Sequence, residues 1–435
     1  MLFSPALNKA RCVSIELPAT AVGAIKIRGR CIDACVMRTL FFSKSLIIIS
    51  QVLQLGLVRT TIVIVAFTHI DRDVRVLRQI KSLVASADVV TIGYGLQPPG
   101  TTQHFQIPPS LKYLPISLKS LISLGLGQYN AALRFTTAYA WAAEKLKEVS
   151  ADLIYLNDVQ TIGLVGQSGS TPTIIDMHEY APLEMEEDWR FRLLLMRYYT
   201  FLCKKYLPLA SKVVTVSPGL ATRYESEFNI DVDIIMNARS EVQNSSLQEQ
   251  SNDQTIRLVH SGLAANARHL EWMIEAVGDV PGVSLDLYLV EAPRQARTLK
   301  SLTKLTAKYK NCSVKSPVPS SELPTVISNY DAGLLFIAPS SFSLRHCLPN
   351  KLFDCVQARR PAIVGPSPDM ADFVRQHDIG FVCPTFDIDD LRKTLTGLSR
   401  ADLEKKTEAL NRIAVSINEE SEGQKLRGIV LSLLK

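Results

Sequence analysis

Cysteine is scarce and carries no pattern. The 8 Cys of this 435-residue chain include no C-x-x-C pair, which argues against a zinc ribbon or a dithiol redox centre. The remaining reading is reduced thiols acting as small buried hydrophobes in a cytoplasmic setting. Long apolar runs are also missing. The best, Ser45 to Val58, is interrupted by Gln51 and Gln54 and falls short of the roughly 18–20 residues that span a bilayer. It lies too far from Met1, with no clean small-residue cleavage site, to fit a signal peptide. No G-x-G-x-x-G follows the first strand of either half, which disfavours a dinucleotide-dependent dehydrogenase. A strong excess of one charge sign is missing as well: 48 Lys and Arg against 42 Asp and Glu leave a net +6. That excess suits anionic small ligands or an acidic membrane face, and with no nucleic-acid motif it gives no reason to expect nucleic acid as a partner. There are no internal repeats and no low-complexity tracts.

What is present is a globular composition, 47% hydrophobic and 21% charged, at a length that predicts two domains. Residues 1–58 show no clear periodicity and form an N-terminal extension of uncertain order. From Thr60 the pattern sharpens. Thr61 to Phe67 is a continuous β-branched run of buried parallel-strand type, followed by a helix to about Ser86 and a strand at Val89–Ile92. A helix is expected over Ala132–Val149, then strands at Leu153–Leu156, Thr173–Ile175 and Lys212–Val216. Residues 238–254 are polar and read as a linker. Strand–helix alternation then restarts with strands at Arg257–Ser261, Leu285–Val290 and Ala332–Ile337. The expected fold class is α/β, with two doubly wound sheets: a first domain over 59–237, a second over 255–415, and a final segment 416–435.

The most informative stretch is Ser343 to Val364. It reads as a loop, a helix opening at Pro349 and a buried strand. Pro suits a helix start because its missing N–H costs nothing there. Leu352, Phe353 and Val356 form an apolar stripe, while Asn350, Lys351 and Asp354 share the polar face. Free N–H groups and the positive helix end beside Lys351 suit a diphosphate, and Asp354 can accept from sugar or ribose hydroxyls. The competing reading is an amphipathic helix with a solvated face. The run "LPNKLFD" followed by "RPAIVG" resembles the donor-site motif of retaining glycosyltransferases of family 4. The resemblance extends over roughly 60–430. Asp71-Arg-Asp-Val-Arg75 resembles the family's D-x-R-V-R-R opening, Asp176-Met-His-Glu179 its D-x-H-E motif, and Met236-Asn-Ala238 its hinge.

That resemblance implies a GT-B fold and transfer of a sugar from a UDP- or GDP-linked donor with retention of configuration. It implies no metal and no cofactor, the nucleotide-sugar being a substrate. The acceptor would be a glycan, a lipid-linked species or a small molecule, with polysaccharide biosynthesis as the natural setting. Arg268 and Lys351 would stabilise the departing diphosphate, with Gly262 allowing close backbone approach. Asn350 and Asp354 would complete the donor site. His178 would act at the transferred sugar, and Asp71, Asn157, Asp158 and Glu179 would line the acceptor side. Each also has a structural reading: Asp71 as a helix-start acid, Glu179 as a cap or packing group, Arg268 as a solvent-exposed loop residue. The sequence departs from the family in three places. His346 and Asp354 stand where two glutamates are usual, and Arg359 stands where glycine usually follows the helix, a position strained for a left-handed cap. Two other readings share the donor pocket: a nucleotide-sugar epimerase, and a catalytically degenerate scaffold that binds a partner transferase. Trp189–Tyr206, basic and aromatic, fits either a core helix or a peripheral contact with anionic lipid at the inner membrane face.

Overall fold

The computed structural model describes residues 59–167, 169–243, 254–292 and 295–434. The extension over 1–58 and residues 244–253 of the linker lie outside the described residues. From Arg59 onward the chain forms one compact unit.

The first half contains β1 (Thr61–His69), α1 (Val74–Leu83), β2 (Asp88–Tyr94), β3 (Gln103–Gln106), α2 (Leu118–Gly125), α3 (Tyr129–Arg134), α4 (Thr137–Lys147), β4 (Leu153–Asn157), β5 (Thr173–Met177), α5 (Trp189–Leu194), α6 (Met196–Tyr206), β6 (Lys212–Thr215), α7 (Pro218–Phe228) and β7 (Val232–Ile234). The second contains β8 (Ile256–Ala264), α8 (Leu270–Gly278), β9 (Val283–Glu291), α9 (Ala296–Thr306), β10 (Cys312–Lys315), α10 (Leu323–Ile327), β11 (Ala332–Leu335), α11 (Phe342–Arg345), α12 (Asn350–Ala358), β12 (Ala362–Val364), α13 (Pro368–His377), β13 (Gly380–Val382), α14 (Ile388–Thr396), α15 (Arg400–Ile413) and α16 (Glu419–Leu433).

Each half is a parallel sheet, ordered β3-β2-β1-β4-β5-β6-β7 and β10-β9-β8-β11-β12-β13. The order reverses beside β1 and again beside β8, and in such sheets ligands sit at the carboxyl ends of the strands around that reversal. The apolar runs explain the burial. β1 is almost wholly enclosed, because helices cover both faces of a parallel sheet. Separate apolar clusters line the two faces of each sheet. The last helix crosses back: Leu426 and Val430 of α16 join the cluster formed by Val76, Ile80 and Leu83 of α1. A side chain at Gly423 would meet Ser82 Oγ at 2.7 Å.

The helix expected over Ala132–Val149 is two. Thr136 is extended (φ −76°, ψ 112°) between α3 and α4, and its hydroxyl donates back to the Ala132 carbonyl at 3.0 Å, so a local side-chain bond competes with the helix. Trp189–Tyr206 likewise divides at Leu195. Its α6 half buries Tyr198, Tyr199, Leu202, Cys203 and Tyr206, while Trp189 and Leu193 on α5 stay exposed. The basic core-helix reading therefore describes α6, and the exposed apolar residues belong to α5. Arg359 does adopt the left-handed cap after α12, at φ 55°. Its guanidinium donates to the Gln357 carbonyl at 2.9 Å, a local bond that offsets the strain.

Candidate functional site

Near the carboxyl end of β8 stands Gly262, whose φ of +152° favours glycine. A Cβ there would lie 2.5 Å from Lys351 Cε and 2.9 Å from Arg268 Nη1. Two cations therefore close over a bare stretch of backbone. Lys351 is the second residue of α12, whose first N–H groups have no partner within the helix. Among the described residues Arg268 Nη1 is buried without a hydrogen-bond partner. Burial, then the Arg268 guanidinium, push the Lys351 ammonium down to about 8, with Asp354 opposing. Burial also lowers Arg268. These are two cations held close together at an energetic cost, as expected of a cradle for an anion. Beneath them His260 is held neutral: burial, then Lys351, push its imidazole down to about 3. Its Nδ1 pairs with the Leu334 carbonyl at 2.7 Å.

Beside the cradle opens a cavity of about 320 Å³, within the size range of small-ligand sites. Asn350, Lys351 and Asp354 line it with Gly262, Ser261 and Ser320, and Tyr288, Val290, Pro317 and Val318 supply apolar wall. Asp354 is 1% exposed. It accepts from Arg239 Nε at 2.6 Å and Nη2 at 3.3 Å, and Arg239 also reaches Ser320 Oγ at 2.9 Å. Burial raises the Asp354 carboxyl, against the pull of Arg239. Arg239 thus shares the carboxylate that the sequence suggested for donor hydroxyls, and sequence reasoning did not single it out. Its only local signal is its place two residues past the hinge asparagine.

The opposite wall is built at the ends of β4 and β5. Asp158, left-handed at φ 62°, accepts from His178 twice: from its backbone N–H at 3.2 Å and from Nδ1 at 3.0 Å. The other ring nitrogen of His178 lies 3.2 Å from Asn157 Oδ1. Both nitrogens therefore face acceptors. Burial works to lower the imidazole's pKa, but Asp158 and Asp176 outweigh it and hold it above its ordinary value. The imidazolium form satisfies both contacts. Behind it, Arg75 grips Asp176 through Nε at 3.0 Å and Nη2 at 2.8 Å. Gln79 and Tyr155 donate to the same carboxylate. Asn157, Asp158 and His178 are thus brought together, as one polar network. Arg75, Gln79 and Asp176 escaped the sequence reading as site members, although two of them lie inside quoted motifs.

Glu179 follows on the same turn. Desolvation, then Asp158, raise it to about 7, and burial, then Asp158 and Glu179, raise Glu184 to about 8. Asp71 lies on the turn that follows β1. Its Oδ1 is buried without a partner among the described residues and would lie 1.8 Å from a Cβ at Gly95.

The two walls meet around Ser341–His346. Phe342 N–H donates to Glu186 at 2.5 Å and Tyr180 N–H to Ser343 Oγ at 3.0 Å. Ser217 Oγ donates to the His346 carbonyl at 2.5 Å. His346 itself pairs with Asp369 at 2.9 Å and packs on the Phe342 ring at 4.6 Å. It serves the contact between the two halves. Burial pushes the thiol of Cys347, next in sequence, up to about 11, with Lys351 opposing. Among the described residues no group of three His, Cys, Asp or Glu side chains is arranged to hold a metal ion.

No family profile matches the sequence, and no curated protein does. Solved structures do. Anabaena HepE, solved with UDP and glucose, aligns at a TM-score of 0.63 and 12% identity over 86% of this chain and 100% of that one. Sucrose-phosphate synthase from Thermosynechococcus elongatus aligns at 0.63 and 13%, over 86% and 99%. The α,α-trehalose 6-phosphate synthase of Burkholderia multivorans aligns at 0.61 and 10%, over 86% and 99%. At such identities the likeness concerns the fold, and the fold is GT-B: two Rossmann-like sheets facing each other across the site.

Proposed function

We propose that this protein is a glycosyltransferase that moves a sugar from a nucleoside diphosphate donor, with UDP as the first nucleotide to test. The observation that carries the reading is the Gly262 cradle, where Arg268 and Lys351 converge on bare backbone at the opening of α12. A diphosphate would supply the negative charge that this arrangement lacks. The UDP and UDP-glucose in the titles of the Anabaena HepE structures suggest that nucleotide class. A fold shared by many activities does not choose among them, so membership of family 4 rests on the motifs alone.

In the proposed reaction Lys351, Arg268 and the α12 N-terminus stabilise charge on the departing diphosphate, the electrostatic task that a metal performs in other transferases. The reading keeps the transfer metal-independent and retaining. Asp354, still holding lone pairs beyond its Arg239 contacts, accepts from the ribose. The His178 imidazolium donates to a sugar hydroxyl by exchanging its 3.2 Å contact with Asn157. Glu179 and Asp158 face the acceptor, a glycan or a lipid-linked species. A second reading, a scaffold that binds nucleotide without transferring sugar, is favoured by one feature: His346 is turned to Asp369 and not to the cradle.

Calorimetric titration with UDP and GDP, followed by hydrolysis assays on a donor panel, tests both. Micromolar UDP binding with donor turnover supports transfer. Binding with no turnover of any donor supports the scaffold. The absence of nucleotide binding refutes both.

A further inference from the structure

Helix α2 is inside-out. It buries Ser120, Ser123 and Leu124 and turns its other large apolar residues to solvent. Leu118 is 75% exposed, Ile122 54% and the capping Leu126 67%, with Ile116 and Leu121 beside them. Positions 118, 122 and 126 recur at the spacing of one helical face. The serines have local work: Ser117 Oγ caps the helix by accepting from Ser120 N–H at 3.1 Å and lies 2.7 Å from Ser120 Oγ. So the inversion is a stable local arrangement, and it leaves an apolar ridge of the kind that marks an interaction site.

The charge around the ridge selects its partner. Between Asp88 and Glu144 the sequence contains no carboxylate side chain, while it contains Lys112, Lys119 and Arg134. Lys119 stands on the helix and lies 6.0 Å from the exposed Phe135 ring. The neighbouring helices continue the theme. Tyr129 of α3 packs on Phe201 of α6 at 5.2 Å, and Lys205 of α6 reaches Asn130 of α3 at 2.5 Å. Exposed Leu and Ile rimmed by Lys and Arg, with no acid on α2, α3 or the segment joining them, is the composition of surfaces that sit at the headgroup–acyl boundary.

We propose that the α2 ridge docks this protein on an anionic lipid bilayer. The inference stands apart from the nucleotide-binding reading. Two other occupants fit the charge poorly. A second copy meeting the same face would bring the same cations together. Residues 1–58 are themselves basic, with only Glu16 and Asp33 acidic.

The full chain is tested by co-sedimentation with phosphatidylcholine vesicles, with and without phosphatidylglycerol, at low and high salt. Binding that requires phosphatidylglycerol and weakens with salt is expected. Leu118→Glu with Ile122→Glu should lower it by about tenfold or more, since withdrawing two such side chains from an apolar phase costs at least the free energy of one decade in affinity. Lys119→Glu with Arg134→Glu should lower it as well. Stabilisation by UDP and the circular dichroism spectrum should match those of the unmodified protein, because these positions are exposed and outside the cradle. The proposal fails if the unmodified chain ignores anionic vesicles, or if the Leu118/Ile122 variant binds them undiminished. It also fails if sedimentation velocity shows a self-associated species that the same variant dissolves.

Discussion

Replacing Lys351 with Met keeps the reach of the side chain and removes its charge. In the unliganded protein that charge is held against its preference: burial and the Arg268 guanidinium push the pKa to about 8 from an ordinary 10.5. The gap of about 2.5 pH units corresponds to a ceiling of about 3 kcal/mol, which partial solvent access brings to roughly 1–3 kcal/mol. The folded pKa lies below the unfolded one. Below about pH 8 both states hold the proton, and the penalty is paid in full. As pH rises from about 8 to 10.5 the folded state releases its proton first, the unfolded state binds more, and stability climbs. Lys351→Met should therefore resist urea better than the parent at pH 7 without ligand, and this advantage should shrink above pH 8. UDP should reverse the order. A diphosphate restores the ammonium's pKa, so above pH 8 binding takes up a proton and parent affinity falls toward tenfold per pH unit. The variant should lose about 1.5–3 kcal/mol of UDP binding, or roughly 10- to 150-fold, and show no such slope. The base's own ionisation is common to both proteins and cancels. Urea titrations with and without UDP, and calorimetry in two buffers of different ionisation enthalpy, read all of this. A variant that is less stable when unliganded and binds UDP like the parent would refute the assignment of the cradle.

Three further outcomes follow from the geometry. His178→Ala should lower donor turnover strongly and leave UDP affinity within about threefold, because its contacts lie on the opposite wall from the cradle; loss of UDP binding in calorimetry would move it to the donor site. Arg75→Met strands the buried Asp176 carboxylate and should cost about 3–5 kcal/mol in urea unfolding, with Asp176→Asn in the same chain recovering part of it. Gly219→Ala places a Cβ 2.0 Å from His346 Nδ1 and 2.6 Å from Asp369 Oδ1; it should loosen the contact between the halves, seen as a larger radius of gyration in small-angle scattering and about 1–3 kcal/mol lower stability.

What could be read from sequence was what is local. β1, β4, β5 and β6 announce themselves as short β-branched runs, and parallel order follows from their alternation with helices. Gly262, Lys351 and His178 stand at or near strand ends or a helix start, where one chain segment alone suggests the chemistry proposed for them. What escaped is pairing across distance. Arg75 finds Asp176 across 101 residues and Arg239 finds Asp354 across 115, and no local pattern distinguishes either arginine from a solvated one. The split of Ala132–Val149 escaped for the opposite reason. A single hydroxyl at Thr136 outweighs a helical period that runs through both pieces. The α2 ridge escaped because periodicity reports a face but not its direction: Leu118, Ile122 and Leu126 pattern like core and point outward.

Both long-range arginines converge on the same few residues. Arg75 Nη1 donates to the Ile235 carbonyl at 2.9 Å and to Asn237 Oδ1 at 3.0 Å, while Arg239 holds Asp354. Glu422 of α16 accepts from Met236 N–H at 2.8 Å, and Glu419 N–H donates to the Arg239 carbonyl at 2.8 Å. The segment 235–239 is thus tied to His178's network through Asp176, to the cavity beside Gly262 through Asp354, and to the returning helix. These groups are buried or half-buried and paired, so a change at the segment is felt at both walls. The sequence departure at Asp354 fits this arrangement. The aspartate engages Arg239 with both oxygens, so in the proposed reaction its contact with the donor depends on where segment 235–239 holds that arginine.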